Sequence, residues 1–310
     1  FRSELDIVLG VGVEFLTLIG TRGSDTVNLS NLSSFEGATL TNLTAGIFSA
    51  TPSRTQGQYF DETLNKSVFF NFGPNITRPD IKFYEGPSGS GLGLEKLTLT
   101  NQKDKVFLGE IFDEVNAGVG NDEFIGFGDQ TKLNGGSGMD TWSTGTLRAS
   151  ASVAKSGTGN TLTAAGKTIN FEGIERLIFN DSKIAFDLDG NAGKVAKIIG
   201  AVFGSSLVSN KEYVGVGLSF MDSGTSYEGL IRIALDFKFG KTPSDIELVK
   251  TLYTNVAGNP PSAQEERDYV NLLNNGTFNQ TSLSLFAADH ALNAQKIGLA
   301  GFANTGIEYV

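Results

Sequence analysis

Hydrophobic and polar residues alternate along this chain in two textures. From Phe1 to about Asp187 the apolar positions come in short period-two runs, such as Thr26-Val27-Asn28-Leu29, Ala38-Thr39-Leu40-Thr41-Asn42-Leu43 and Lys96-Leu97-Thr98-Leu99-Thr100. Alternation puts every second side chain on one face of an extended segment, so many short strands joined by turns are predicted here. From about Asn191 to Asn293 the period becomes helical: Val195, Ile198, Ile199, Val202 and Phe203 fall at i, i+3, i+4, i+7 and i+8. That spacing draws one apolar stripe on a helix, and five or six such helices are predicted to form a bundle.

The helical part carries its own punctuation. Thr225 with Glu228 and Ser262 with Glu265 fit the S/T-x-x-E capping box, and Thr242-Pro243 places a cap before a first-turn proline. Gly224 and Gly276 stand where helices should stop. Phe220-Met221-Asp222-Ser223-Gly224 recurs as Leu272-Leu273-Asn274-Asn275-Gly276, which reads as a weak internal duplication.

Between the two textures lies a repeat of nine. Ala117-Gly118-Val119-Gly120-Asn121-Asp122-Glu123-Phe124-Ile125 matches G-G-x-G-x-D-x-U-x, with U apolar, at all but its first position. Gly135-Gly136-Ser137-Gly138-Met139-Asp140-Thr141-Trp142-Ser143 matches throughout. In the same frame the sixth position reads Glu95, Asp104, Asp113, Asp122, Thr131, Asp140, and the eighth reads Leu97, Val106, Val115, Phe124, Leu133, Trp142. The frame fails one step earlier, at Gly86 and Ser88, so the array is placed from about Ser90.

Each nonapeptide reads as a tight turn followed by a short strand, with the apolar eighth residue pointing into a stacked core. Two of them make one coil of a parallel solenoid, so loops eighteen residues apart share an edge. Calcium fits between successive loops, held by aspartates and backbone carbonyls, the hard oxygen donors it prefers. Asp104, Asp122 and Asp140 line one edge; Glu95, Asp113 and Thr131 line the other. The loops containing Gly118, Gly120 and Asp122 and containing Gly136, Gly138 and Asp140 keep their glycines, so the best calcium site is expected between them. Asp104 follows a loop without glycines and is a poorer partner, and the edge of Asp113 ends in the neutral Thr131.

Composition narrows the chemistry. A net charge of -10, a pI of about 4.7 and no Lys/Arg cluster lack the footprint of a nucleic-acid or anionic-membrane binder. No cysteine is present and His290 is the one histidine, which excludes thiolate chemistry and two-histidine zinc sites. No stretch has the roughly 18 to 20 continuous apolar residues of a membrane span. The chain starts at Phe1, and it reads as a piece of a longer precursor.

The nonapeptides over residues 90–143 resemble the RTX, or repeats-in-toxin, family of bacterial proteins. The resemblance implies export unfolded by type I secretion machinery and folding on extracellular calcium. Gly20-Thr21-Arg22-Gly23-Ser24-Asp25-Thr26-Val27-Asn28 resembles one more degenerate unit, and Phe171 to Phe179 running into Phe186-Asp187 resembles the strand closing such arrays. The helical remainder is similar to an uncharacterised domain at the C-termini of RTX-type surface proteins. The tail Gly306-Ile307-Glu308-Tyr309-Val310 resembles a C-terminal type I secretion signal.

The expected architecture is therefore an α+β multidomain chain, a parallel β-solenoid or β-roll followed by a small α-helical bundle. Its parts are an irregular β-rich solenoid region at 1–89, a calcium-binding β-roll with closing strands at 90–187, a helical domain at 188–293 and the tail at 294–310.

Other motifs read blandly. Asp187, Asp189 and Asn191 sit at EF-hand-like spacing but lack the later glycine and glutamate, which favours helix capping. Gly240-Lys241-Thr242 lacks the upstream glycine of a phosphate loop, and His290 reads as a packed helix residue. The sequons at Asn28, Asn42 and Asn75 reflect an Asn/Thr-rich solenoid.

No catalytic constellation emerges, so the expectation is a non-catalytic, calcium-dependent structural region of a secreted bacterial cell-surface protein, an S-layer subunit or large adhesin. Its partners would be calcium ions and copies of itself or cell-envelope glycan. Two alternatives stay open. One is the calcium-folding tail of an extracellular protease, lipase or polysaccharide-modifying enzyme; a variant of it puts a polysaccharide-lyase active site in the N-terminal β region, where Asp61, Arg78, Asp80 and Lys82 are the only local mix of carboxylates and basic residues. The other is a glycan-binding module using Tyr213, Tyr227 and Tyr269 as stacking faces.

Overall fold

A computed structural model describes residues 114–127, 132–240 and 243–310 in full, residues 103 and 108, and the backbone of strands at 5–8, 15–18, 25–29, 39–41, 46–50, 56–61, 66–71, 80–84, 96–98 and 105–107. The fold is α+β, and it divides into a β unit, Phe1–Asp181, and a unit that is mainly helical, Ser182–Val310.

In the β unit two ladders of parallel strands follow the nonapeptide frame. Lys96–Thr98, Glu114–Asn116 and Lys132–Asn134 pair side by side, with Leu97, Val115 and Leu133 in register. Lys105–Phe107, Glu123–Ile125 and Thr141–Ser143 form the second ladder, with Val106, Phe124 and Trp142 in register. The reason is the period of two. With the eighth residue inward, its neighbours must face outward, and Val115, Phe124, Leu133 and Trp142 are buried while Glu114, Asn116, Glu123 and Lys132 are not.

Each ladder is extended beyond the last nonapeptide. Asn170, Phe171 and Glu172 pair with Lys132–Asn134, and Arg176–Ile178 pairs with Thr141–Ser143. Phe171 thereby stacks next to Leu133 and Leu177 next to Trp142. Trp142 belongs to one ladder and Phe171 to the other, yet their rings meet edge to face at 5.7 Å, so the inward faces of the two ladders share a core. The indole N–H of Trp142 donates to the Gly126 carbonyl, which satisfies the one polar atom brought in with the ring. The first extension is the last strand of an antiparallel meander, Ala151–Ser156, Gly159–Ala164 and Lys167–Glu172.

Upstream, parallel strands continue the ladders. Leu5–Val8, Asp25–Leu29 and Gly46–Ala50 lead to Lys96–Thr98, and Thr39–Thr41 and Asp80–Tyr84 lead to Lys105–Phe107. Phe15–Leu18 and Lys66–Asn71 flank Gln56–Asp61 separately.

The second unit holds eight α-helices among the described residues: α1 Asn191–Ile198, α2 Lys211–Asp222, α3 Tyr227–Phe239, α4 Asp245–Ala257, α5 Ala263–Asn274, α6 Gln280–Asp289, α7 Ala291–Lys296 and α8 Phe302–Thr305. The excess over five or six comes from α7 and α8, too short to show a periodic stripe. A π-turn, Ile199–Phe203, extends α1, and its Ile199 and Val202 pack in a core with Leu218, Ile231, Leu248 and Leu252. The Ser262–Glu265 capping box forms as expected.

Two caps fall elsewhere than expected. Ser226, not Thr225, caps α3 by accepting from the Gly229 N–H, because Gly224 first turns the chain out of α2 at φ 96° and Thr225 N–H returns to the Phe220 carbonyl. Glu228 instead pairs with Arg232 one turn on. Ser244, following Pro243, caps α4 through the Glu247 N–H; Thr242 lies outside the described residues.

The C-terminal residues are built into the second unit. Ile307–Tyr309 pairs antiparallel with Lys183–Ala185, and Ile307 and Tyr309 are buried in the core. Lys211 Nζ lies 2.6 Å from Glu308 Oε2, and Lys183 covers the Tyr309 ring. Ile307→Ala removes a buried branched side chain, so it is expected to cost about 2–4 kcal/mol and to lower the melting of the helical signal. An unchanged melting curve would show the tail to be dispensable for folding.

Candidate metal centre

The site is built where successive loops of one edge stack. Gly136 and Gly138 carry φ values of 92° and 140°, and a Cβ on either would overlap a carbonyl oxygen, of Gly118 and Gly120 respectively. Only glycine permits that approach, and the two loops use it to bond directly: Ser137 N–H donates to the Gly118 carbonyl and Gly120 N–H to that of Ser137, both at 2.9 Å. Asn121 Oδ1 accepts the Met139 N–H at 2.9 Å, a further tie across the eighteen-residue step.

The aspartates follow the glycines in the same two loops. Asp122 and Asp140 are both buried, at 1% and 0% exposure. Asp122 N–H donates to Asp140 Oδ1 at 2.7 Å, and Asp140 N–H donates to Glu175 Oε2 at 2.8 Å. The acid of each loop thus receives the N–H of the preceding loop's acid. Asp140 Oδ2 is buried with no hydrogen-bond partner. Burial raises the Asp140 carboxyl from 3.8 to about 6, against the opposing pull of the Asp122 N–H.

A buried carboxylate oxygen with no donor is costly unless a cation completes it. Calcium takes carboxylate and main-chain carbonyl oxygens together. This loop stack offers both, so its donor set fits a hard divalent cation. Among the described residues no three Asp, Glu or His side chains cluster, and a site here has to draw on backbone oxygens.

Glu175 was not singled out by its sequence. The hairpin inserted before it breaks the eighteen-residue step, and its loop is shorter than a nonapeptide loop. The available signal was Gly173-Ile174-Glu175-Arg176-Leu177, which keeps the G-x-acid-x-apolar half of the motif. Asp104, Asp113, Glu95 and Thr131 lie outside the described residues, as do Arg78 and the side chains of Asp25, Asp61, Asp80 and Lys82.

Other candidates are occupied structurally. Asp187 accepts the Ala192 N–H in the first turn of α1, which is the capping role. His290 joins α6 to α7, its Nδ1 accepting the Leu292 N–H, rather than packing within a helix. The tyrosines separate. Tyr213 packs edge to face on Phe203 and Phe237, and Tyr227 donates to Asp289, where burial and that carboxylate push its hydroxyl pKa up. Tyr269 lines a pocket with Tyr253, Phe286 and His290. Gly240 ends α3, and no helix among the described residues is long and apolar enough to cross a membrane.

No family model matches the chain, and neither a curated protein nor a solved structure matches it.

Proposed function

We propose that residues 90–187 form a calcium-binding β-roll and that the chain is a non-catalytic structural region of a secreted bacterial cell-surface protein, assembling when calcium is present. The observation that carries the calcium reading is the pair of buried acids Asp122 and Asp140, joined by the Asp122 N–H on Asp140 Oδ1, each with an Oδ2 that no hydrogen-bond donor reaches. The β-roll reading draws support from the two parallel ladders, whose inward residues meet at Trp142 and Phe171. Asp122 and Asp140 would hold the ion, with main-chain carbonyls of the loops at 118–122 and 136–140 completing its oxygen shell.

A bound cation would supply charge neutralisation at the buried acids Asp122 and Asp140. The chain's own part is to exclude water and pre-position the acids. Gly136 and Gly138 let the loops touch, and the inward Phe124 and Trp142 anchor the strand that follows each aspartate. The surface-assembly reading rests on the RTX resemblance and on the absence of a recognisable catalytic set in the sequence.

Calcium titration followed by circular dichroism and light scattering tests both layers. The expected result is a gain of β signal with growth in particle size, both lost in Asp122→Ala/Asp140→Ala. A structural gain without growth would contradict assembly while leaving calcium folding intact.

A further inference from the structure

The open oxygen of Asp140 has a defined neighbourhood. It lies 2.7 Å from the position a Cβ on Gly135 would take, and the carbonyl oxygen of Gly173 crowds the same position. Gly173 opens the short loop that follows Glu172, and Glu175 in that loop already receives the Asp140 N–H. Asp140's carbonyl in turn accepts the N–H groups of Glu175 and Arg176, at 3.0 and 2.9 Å. The short loop is therefore fastened to both the N–H and the C=O of Asp140, and the absent Cβ of Gly135 leaves room between the Asp140 carboxylate and the Gly173 carbonyl oxygen.

We infer that the closing loop Gly173–Glu175 completes a second cation site, in which Asp140 Oδ2, the Gly173 carbonyl and the Glu175 carboxylate bind a divalent cation of calcium's size. The inference rests on the calcium reading above for the choice of ion and extends it past the last nonapeptide. Asp140 stands to Glu175 as Asp122 stands to Asp140, each donating its N–H to the next acid. One ion would lie at the Asp122–Asp140 step and one at the Asp140–Glu175 step. Arg176, buried beside this loop, directs Nη1 to the Glu175 main-chain carbonyl at 2.9 Å, so that carbonyl is not counted among the donors.

Calcium bound per chain at saturation, measured by equilibrium dialysis and elemental analysis, tests this. Glu175→Gln keeps an acceptor for the Asp140 N–H, so the fold is retained, and it is expected to hold one ion fewer than the parent chain. Glu175→Asp keeps the charge but shortens the reach, and it is expected to weaken one site at least tenfold while leaving the rest. Unchanged stoichiometry and affinity in both variants would overturn the second site. Failure of the unaltered chain to bind calcium at all would instead overturn the calcium reading itself. Emission from Trp142, the one tryptophan, shows in each variant whether the β unit is folded.

Discussion

Asp140→Asn is expected to make the calcium-free protein more stable at pH 7 and to abolish its response to calcium. Burial raises the folded-state pKa of Asp140 from 3.8 to about 6. The sign follows from proton linkage. Between these values the folded chain holds a proton that the unfolded chain has released, so stability falls as pH rises from about 4 to about 6 and stays low above. At neutral pH this amounts to a penalty on the order of 2–3 kcal/mol in the metal-free state.

Asparagine keeps an oxygen for the Asp122 N–H and brings an amide donor to the space beside the Gly173 carbonyl. The penalty disappears, and melting of the β unit should rise by several degrees without calcium. Calcium should then add nothing, because the charged ligand is gone. In the parent chain, calcium should bind more weakly as pH drops through about 6, where the proton competes for the same carboxylate. A metal-free Asp140→Asn protein less stable than its parent would show that the charge is already compensated within the fold.

Gly138→Ala is expected to cost about 3–5 kcal/mol, confined to the β unit. A left-handed backbone at φ 140° contributes part, and overlap of the new Cβ with the Gly120 carbonyl contributes the rest. The clash cannot relax locally, because Gly120 N–H is itself bonded to Ser137 in the same stack. Gly145→Ala is the control. Gly145 also has positive φ, 70°, but nothing lies within 4 Å of its Cβ position, so only backbone strain of about 1 kcal/mol applies. Denaturant unfolding followed at Trp142 separates the two, and equal losses would remove close loop stacking as the reason for Gly138.

Much of the β unit was legible because its signal is strictly local. The eighth residue of each nonapeptide is apolar, and a slip of one position would turn all of them outward, so sequence and register agree at Val115, Phe124, Leu133 and Trp142. Legibility ended where a hairpin interrupted the step. Glu175 completes the acidic ladder from a shortened loop that no fixed period of nine reaches. In the helical unit the stripes located the helices, whereas the caps of α3 and α4 shifted because Gly224 and Pro243 decide where the chain can re-enter a helix. The tail carried no periodic signal at all. Its place as a strand depends on Lys183–Ala185, distant in sequence.

The most direct measurement is urea unfolding of the intact chain followed by Trp142 emission, with calcium, with magnesium and with chelator. Trp142 is the single tryptophan, is fully buried, and lies two residues from Asp140 in the β unit, so it reports on that unit alone. The expected result is a calcium-specific rise in the midpoint, corresponding to about 2.7 kcal/mol of added stability at a hundredfold excess over Kd for one site. Superimposed curves in calcium and in chelator would contradict the account, because the buried acids would then need no cation.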